Sequence, residues 1–443
     1  MNVKRTLTAF TVLLVGMLAL YALIFYPDYQ EPRYGRFIVI TVALSALWIG
    51  ALALFKRLSS ARSLQTYLII GLVAGALFRV VALTGAGETA YLSDDVYRYV
   101  WDGRLIAHGV NPFAYAPDDP AVYQYAEENI LPRINHTELP TIYPPVSQAF
   151  FLAAYLVDSD SIYGFKLISA LFDLLTLLAL FKLLRVNKLP PALALIYWLA
   201  PLTVIEFYLS AHHDILVLPF FIMTLVYFAK GKPALCGIFL ALAIMAKYNV
   251  ALISLPLLLG FAGRERRIFV LSGLAVAAAA YLPFLIYLKP AALFGSLLDY
   301  TIRWQYNGSL YHILRLLTSP KISKIIIAPV LIGTLLYLGI TIKDRIKGVC
   351  ASLAAYLALT PTLFPWYLIL ALPLMTVRRS SAMFALLSMI FLSYWGLIGL
   401  AETGLWVEHW SLRVVEYAPF YLALLFSFRW KLFEPRKADS FAL

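Results

Sequence analysis

Runs of about twenty apolar residues recur along the whole chain, separated by short clusters of lysine and arginine. A stretch of that length is what a helix needs to cross the ~30 Å hydrocarbon core of a bilayer. Of the 443 residues, 62% are apolar and 14% charged, where a soluble domain carries about a quarter charged residues. Soluble, disordered and disulfide-scaffold classes are therefore excluded. A membrane β-barrel is excluded too, because its strands alternate over ~10 residues. The two cysteines, Cys236 and Cys350, lie in or beside apolar runs and read as packing residues. The predicted fold class is an all-α polytopic membrane protein.

The formal net charge of +12 is unevenly spread. Eight basic clusters, from Lys4/Arg5 to Arg429/Lys431/Arg436/Lys437, hold 22 of the 36 Lys and Arg and 4 of the 24 acidic residues. The remaining segments hold 14 basic and 20 acidic residues. This is the bias of short cytoplasmic loops, so the clusters are placed inside and the segments between them outside. A nucleic-acid partner would need one contiguous basic face, and none exists.

Each stretch between two cytoplasmic clusters must cross the bilayer an even number of times. Residues 6–26 form an uncleaved first span, too long for a signal peptide core. The count reaches 12–14 spans, with both termini cytoplasmic. Residues 144–157 are apolar but short and precede Asp158 and Asp160. They are placed at the outer interface, with Pro144 and Pro145 in the first turn. Residues 234–262 and 348–377 must each cross twice within about thirty residues. Two helices that short cannot each span the core, and broken helices are tolerated where they line an enclosed cavity. Breaks near 247–249 and 361–366 therefore predict a cavity open to the outside. Three parts follow. Residues 1–65 are two N-terminal helices. Residues 66–377 are a catalytic membrane module with outer loops 85–162, carrying juxtamembrane helices, and 289–321. Residues 378–443 are C-terminal helices with a short basic tail.

The cytoplasmic loops are short and contain no GxxxxGK[ST] or GxGxxG, so chemistry is expected outside. Four outer segments carry candidates. Asp94 and Asp95 begin a helix capped by Ser93 or Asp94. They read as a general base at a cavity mouth, with Arg98 or Arg104 on an anionic group, or as part of a solvated Asp94/Arg98/Asp102 ladder. Glu206 lies inside an apolar helix, where an ionisable group is a site candidate by default. His212, His213 and Asp214 follow at the turn, for hydrogen bonding, for orienting a substrate phosphate, or for a metal whose usual i, i+4 spacing they lack. Lys247 needs an anionic partner, either Asp94, Asp95, Glu206 or a phosphate. The loop with Arg303, Gln305 and Asn307 suits a sugar, as do Tyr143, Trp366 and Tyr367, unless these aromatics form an interfacial belt.

Together these residues resemble the GT-C superfamily of integral-membrane glycosyltransferases. Asp94-Asp95 followed by Val-Tyr-Arg-Tyr looks like its catalytic motif. Tyr143-Pro-Pro145, Pro201 through Glu206 to His212-His-Asp214, Lys247-Tyr248 and Pro365-Trp-Tyr367 look like the bacterial polyprenol-phosphate-mannose-dependent mannosyltransferases. The arrangement is also similar to the GPI mannosyltransferase of the eukaryotic ER. His-His-Asp stands where an Asn-Asp ending is expected, and no soluble C-terminal domain is expected, unlike oligosaccharyltransferases. The resemblance implies a GT-C-like bundle in the cell's inner (plasma) membrane, with its site on the outer face. It implies a polyprenyl-phosphate sugar donor, mannose as the sugar, and a lipid or glycan acceptor. Asp94 is then the base of an inverting transfer, with Asp95 positioning. Arg98, Arg104, Lys247, Tyr248 and Arg303 are assigned to the donor phosphate, whose leaving charge a divalent cation (Mg or Mn) could also stabilise. Glu206, His212, His213, Asp214, Tyr143, Asn307, Trp366 and Tyr367 are assigned to substrate binding. The rival reading, a lipid or sugar transporter or flippase, predicts internal repeats and charges at the membrane midplane. A non-catalytic scaffold leaves the outer clusters without a purpose.

Overall fold

The computed structural model describes residues 3–429, apart from 27–33, 86, 89, 160 and 287–289. Asp160, the turn joining the first two helices, residue 289 of the second outer loop and the basic tail at Lys431, Arg436 and Lys437 lie outside the described residues. The described residues form helices joined by turns and loops, with isolated bridges from Thr362 to Tyr306 and Asn307 as the only extended pairing among them.

Among the described residues, seven helices are long and apolar enough to cross a membrane: Val3–Phe25, Tyr34–Arg57, Ala61–Gly85, Tyr163–Val186, Gly263–Leu285, Pro320–Thr341 and Ser381–Thr403. A bent pair, Pro191–Trp198 and Pro201–Leu209 at 54°, makes up to eight. The 12–14 crossings expected included short broken helices, so full-length helices among the described residues make up only part of that count. The other apolar segments are shorter pieces, such as Pro145–Val157, His213–Ala229, Pro233–Ala246 and Pro365–Val377. Large apolar side chains such as Val12, Val39, Val73, Leu271 and Ile325 face outward, as lipid contact requires. Helix packing there cannot draw on water exclusion and relies on close backbone approach. Helix Gly263–Leu285 meets Pro233–Ala246 in this way, because a Cβ on Gly237 would overlap the Phe269 carbonyl.

The two expected breaks are present, and their backbone groups are satisfied locally. Helix Pro233–Ala246 ends at Lys247, which is extended (φ −156°, ψ 119°). Ser147 Oγ donates to the freed Ala246 carbonyl at 2.6 Å. Helix Arg345–Leu359 stops before Pro361, and the chain resumes as a tight turn at Pro365. Between them, Tyr306 N–H donates to Pro361 O at 3.1 Å and Leu363 N–H to Tyr306 O at 2.7 Å. The segment at Tyr306 thus supplies the partners that buried irregular backbone must find.

The first outer loop carries helix Asp95–Ala107, packed on Pro145–Val157. Gly103 allows this, since a Cβ there would overlap the Phe151 carbonyl. Helix Pro145–Val157 also packs on Tyr163–Val186 and buries Gln148, Phe150, Phe151 and Ala154.

Ionisable groups also lie within the long helices: Arg79 on Ala61–Gly85 pairs with Asp173 on Tyr163–Val186 at 2.5 Å, both buried. Tyr197 (2.6 Å) and Tyr208 (2.8 Å) donate to the same carboxylate. Arg79 also donates to the Gly75 and Trp198 carbonyls and lies over the Trp198 ring at 3.5 Å. A paired, fully hydrogen-bonded charge is the form in which the membrane interior tolerates one.

Candidate active site

A cavity of about 830 Å³ opens where the first outer loop, the second outer loop and both helix breaks converge. Asp94 and Asp95 line one side of it. Ser93, not Asp94, caps the helix they start: its Oγ accepts from Asp95 N–H at 3.2 Å, and the Asp94 side chain makes no capping bond. The Asp94 carboxylate is therefore free to face the cavity, where it is exposed. Asn135 Nδ2 donates to Asp94 at 2.6 Å and to Asp95 at 3.2 Å, joining the pair across the loop. They are the only carboxylates among the described residues of the lining.

The ladder reading is corrected by burial. Arg98 does pair with Asp102, at 2.9 Å, but both are buried and Asp94 is not part of it. Asp102 also accepts from Thr141 (2.5 Å) and Gln148 (3.0 Å), and Arg98 donates to Leu139 O at 2.9 Å. This network fixes the loop carrying Asn135 and Tyr143 to helix Asp95–Ala107. Arg98 lines the cavity with Nε and Nη1 engaged and Nη2 without a hydrogen-bond partner among the described residues.

Lys247 enters the cavity from the first break. Its partner is Asp214, which was not among those expected. It also lies over the Tyr367 ring at 4.6 Å. Tyr248 bonds to Tyr281 by its hydroxyl, and Tyr300 and Tyr367 share a hydrogen bond at 2.7 Å. Trp366 and Tyr367 from the second break, Tyr143 and His213 complete the polar side. Leu252, Leu297, Ile327 and Leu331 form an apolar wall.

The His-His-Asp sequence does not converge on one point. His212 lies behind the wall, stacked on Trp366 at 3.7 Å and bonded to Glu206 at 3.0 Å. His213 packs edge-on against Tyr99 and Tyr143, each at 4.9 Å. Asp214 is committed to Lys247. Among the described residues no three His, Cys, Asp or Glu side chains group as a metal site would require. Glu206 sits in a π-helical turn, Ile205–Leu209, a local distortion frequent at functional sites. Ala211, at φ 55°, then turns the chain so that His212 meets Glu206.

Besides Glu206, His212 and Asp214, three further assigned residues are absent from the cavity lining. Arg104 pairs with Glu127 on the loop, and Arg303 pairs with Asp299 one turn back at 2.6 Å. Asn307 is buried and donates to Glu416 at 2.7 Å, tying the second outer loop to helix Trp410–Arg429. Sequence reasoning did not single out Asn135, Tyr300 or Lys324, all of which line the cavity. Lys324 donates to the Thr301, Ile302 and Trp304 carbonyls at the end of helix Gly295–Arg303.

Burial, and then the neighbouring Asp94 charge, push the Asp95 carboxyl up to about 6. Unfolded, it would titrate near 3.9. A carboxyl that binds its proton more tightly in the folded state costs stability once ionised, so the loss develops as pH rises from about 4 to 6. Asp95→Asn is therefore expected to raise the thermal midpoint at pH 8 by roughly 2–4 °C, the response to ~1 kcal/mol in a mid-sized domain, and to leave it unchanged at pH 4. Thermal unfolding in detergent at the two pH values checks this.

Residues 88–263 match the MptA_B family model, described as alpha-(1->6)-mannopyranosyltransferase, N-terminal domain. The matched span includes Asp94, Asp95, Asn135, Glu206, His212, Asp214 and Lys247. No curated protein matches the chain.

Proposed function

Proceeding from a GT-C-type membrane glycosyltransferase that transfers mannosyl groups, we propose that its donor is a polyprenyl-phosphate mannose. The acceptor is a hydroxyl of a lipid or glycan, and transfer takes place on the outer face of the cell's inner (plasma) membrane. Asp94 is the general base. The observation that carries this is the single cavity with an Asn135-bridged carboxylate pair on one side, Lys247 at the break, and an apolar wall. A lipid-phosphate sugar needs those three surfaces together.

The acceptor hydroxyl gives its proton to Asp94 as its oxygen attacks the anomeric carbon. The bond from that carbon to the phosphate oxygen breaks, and the electron pair leaves on the polyprenyl phosphate. Lys247 faces the developing phosphate charge, and preorganised cations aimed at such charge lower the barrier most. Arg104 and Arg303 take no part, since each is held by a local carboxylate outside the cavity. Tyr143, Tyr248, Trp366 and Tyr367 offer ring faces and hydroxyls to the sugar. His213 is packed among Tyr99, Tyr143 and Phe151, and Asp214 and Glu206 act behind the lining.

Retaining transfer would need a second carboxylate across the sugar as nucleophile. Asp94 and Asp95 share one Asn135 amide and so lie on the same side. Inversion in one step is the expected outcome. Nuclear magnetic resonance of the product formed from an anomerically defined donor tests it. Opposite configuration at the anomeric carbon is expected, and a product with the donor's configuration would rule out the single displacement.

A further inference from the structure

His212 is wholly buried, lies outside the cavity lining, and has no part in the transfer as described. Its surroundings fix it closely. Glu206 accepts hydrogen bonds from the Tyr394 hydroxyl on both oxygens, at 2.9 and 3.0 Å. One of those oxygens also lies 3.0 Å from His212 Nδ1. The tautomer that places its hydrogen on Nδ1, towards Glu206, leaves Nε2 with a lone pair. The flat stack on Trp366, at 3.7 Å and 25°, holds the ring plane. Nε2 is thereby aimed at one place, and it has no hydrogen-bond partner among the described residues.

That place is Asp95, whose Oδ2 lies 4.0 Å from Nε2. The gap is just beyond hydrogen-bond length, and bonds of this kind are often long before substrate closes the site. A buried acceptor left unpaired is costly. An ionised Asp95 offers it only another lone pair, whereas a protonated Asp95 offers a donor. The other charged and titratable groups around this contact are Asp94 and Lys247 in the lining, and Asp214, His213, Glu206 and Tyr394 on the elements packed behind. Asp94 favours a proton on Asp95, and Lys247 opposes it.

We propose that His212 is a positioning residue that keeps the carboxylate pair singly ionised: Asp95 holds the proton as Oδ2–H···Nε2, and Asp94 remains the charged base. Two adjacent aspartates could otherwise exchange their single proton and spend part of their time with the base neutralised. Glu206 and Tyr394 set the imidazole tautomer, and Trp366 sets its plane. The inference rests on the transferase reading for its purpose but not for its test.

The test follows the titration of Asp95 by infrared difference spectroscopy on the purified full chain without donor. Asp95→Asn identifies the band. His212→Phe keeps the stack on Trp366 and removes both nitrogens. His212→Gln keeps an amide N–H for Glu206 and a carbonyl oxygen for Asp95. Asp95 is expected to lose its proton at least one pH unit lower in the Phe variant than in wild type, with the Gln variant close to wild type. An Asp95 band that titrates at the same pH in wild type and the Phe variant overturns the proposal. Should the Phe variant not fold, nitrogen-15 resonances of His212 in wild type decide instead. A step in Nε2 coincident with the Asp95 titration supports the shared proton, and independent titration overturns it. Absence of donor turnover in wild type would count against the transferase reading and leave this titration result standing.

Discussion

Asp94→Asn is expected to abolish sugar transfer while leaving the protein folded. The side chain makes no capping bond, so the substitution removes nothing the helix start depends on. It is exposed to the cavity, and its one strong partner, Asn135, can bond an amide oxygen as well as a carboxylate. What disappears is the ability to take a proton from the acceptor. A positioned general base contributes ~10²–10⁴ in rate, and a loss of that size in kcat is expected. The donor KM should stay close to wild type, because the proposed phosphate and lipid contacts, Lys247 and the apolar wall, lie elsewhere in the cavity. Steady-state transfer, read beside thermal unfolding, makes the comparison. A variant within threefold of wild type would remove Asp94 from the mechanism.

The largest expected effect on stability lies away from the cavity. Arg79→Met leaves Asp173 buried in the membrane span with two tyrosine donors and no counter-charge. Breaking a buried pair from one side costs ~3–5 kcal/mol, against a total stability usually of ~5–15 kcal/mol. A marked fall in folded yield and thermal midpoint is expected. Arg79→Met with Asp173→Asn should recover much of it, since the uncompensated charge is then gone. The consequence reaches the site. Tyr208 belongs to the same π-helical turn as Glu206, so loosening its bond to Asp173 frees the element that sets His212. If the single variant unfolds at the wild-type temperature, the pair is not the staple described.

The helix breaks at Lys247 and at 361–366 are legible in the sequence, because residues 234–262 and 348–377 are too short for two full spans and too long for one. Asp94 and Asp95 are legible because paired carboxylates in an outer loop have no reason to follow an apolar span. The partners are not legible. Asn135 lies 41 residues from Asp94 in a stretch with no periodicity. Asp214 was read as part of a His-His-Asp group, and the turn at Ala211 sends its three side chains in different directions. Arg79 and Asp173 are single charges inside long apolar runs, 94 residues apart, and only packing brings them together. Arg104 and Arg303 mislead in the opposite way. Both are near the right loops, but Glu127 and Asp299 claim them. Helix length alone does not count the crossings, since cavity-lining helices can be short and broken where protein, not lipid, satisfies their backbone.

The central claim, that this membrane enzyme draws mannose from a lipid phosphate, is tested most directly by donor choice in proteoliposomes. The full chain would be reconstituted with labelled polyprenyl-phosphate mannose in the bilayer or with labelled GDP-mannose in solution on both sides, together with a membrane glycolipid acceptor fraction. Transfer of label from the lipid donor, with release of polyprenyl phosphate and none from GDP-mannose, is the predicted result. Transfer from GDP-mannose with the lipid donor left intact would contradict it.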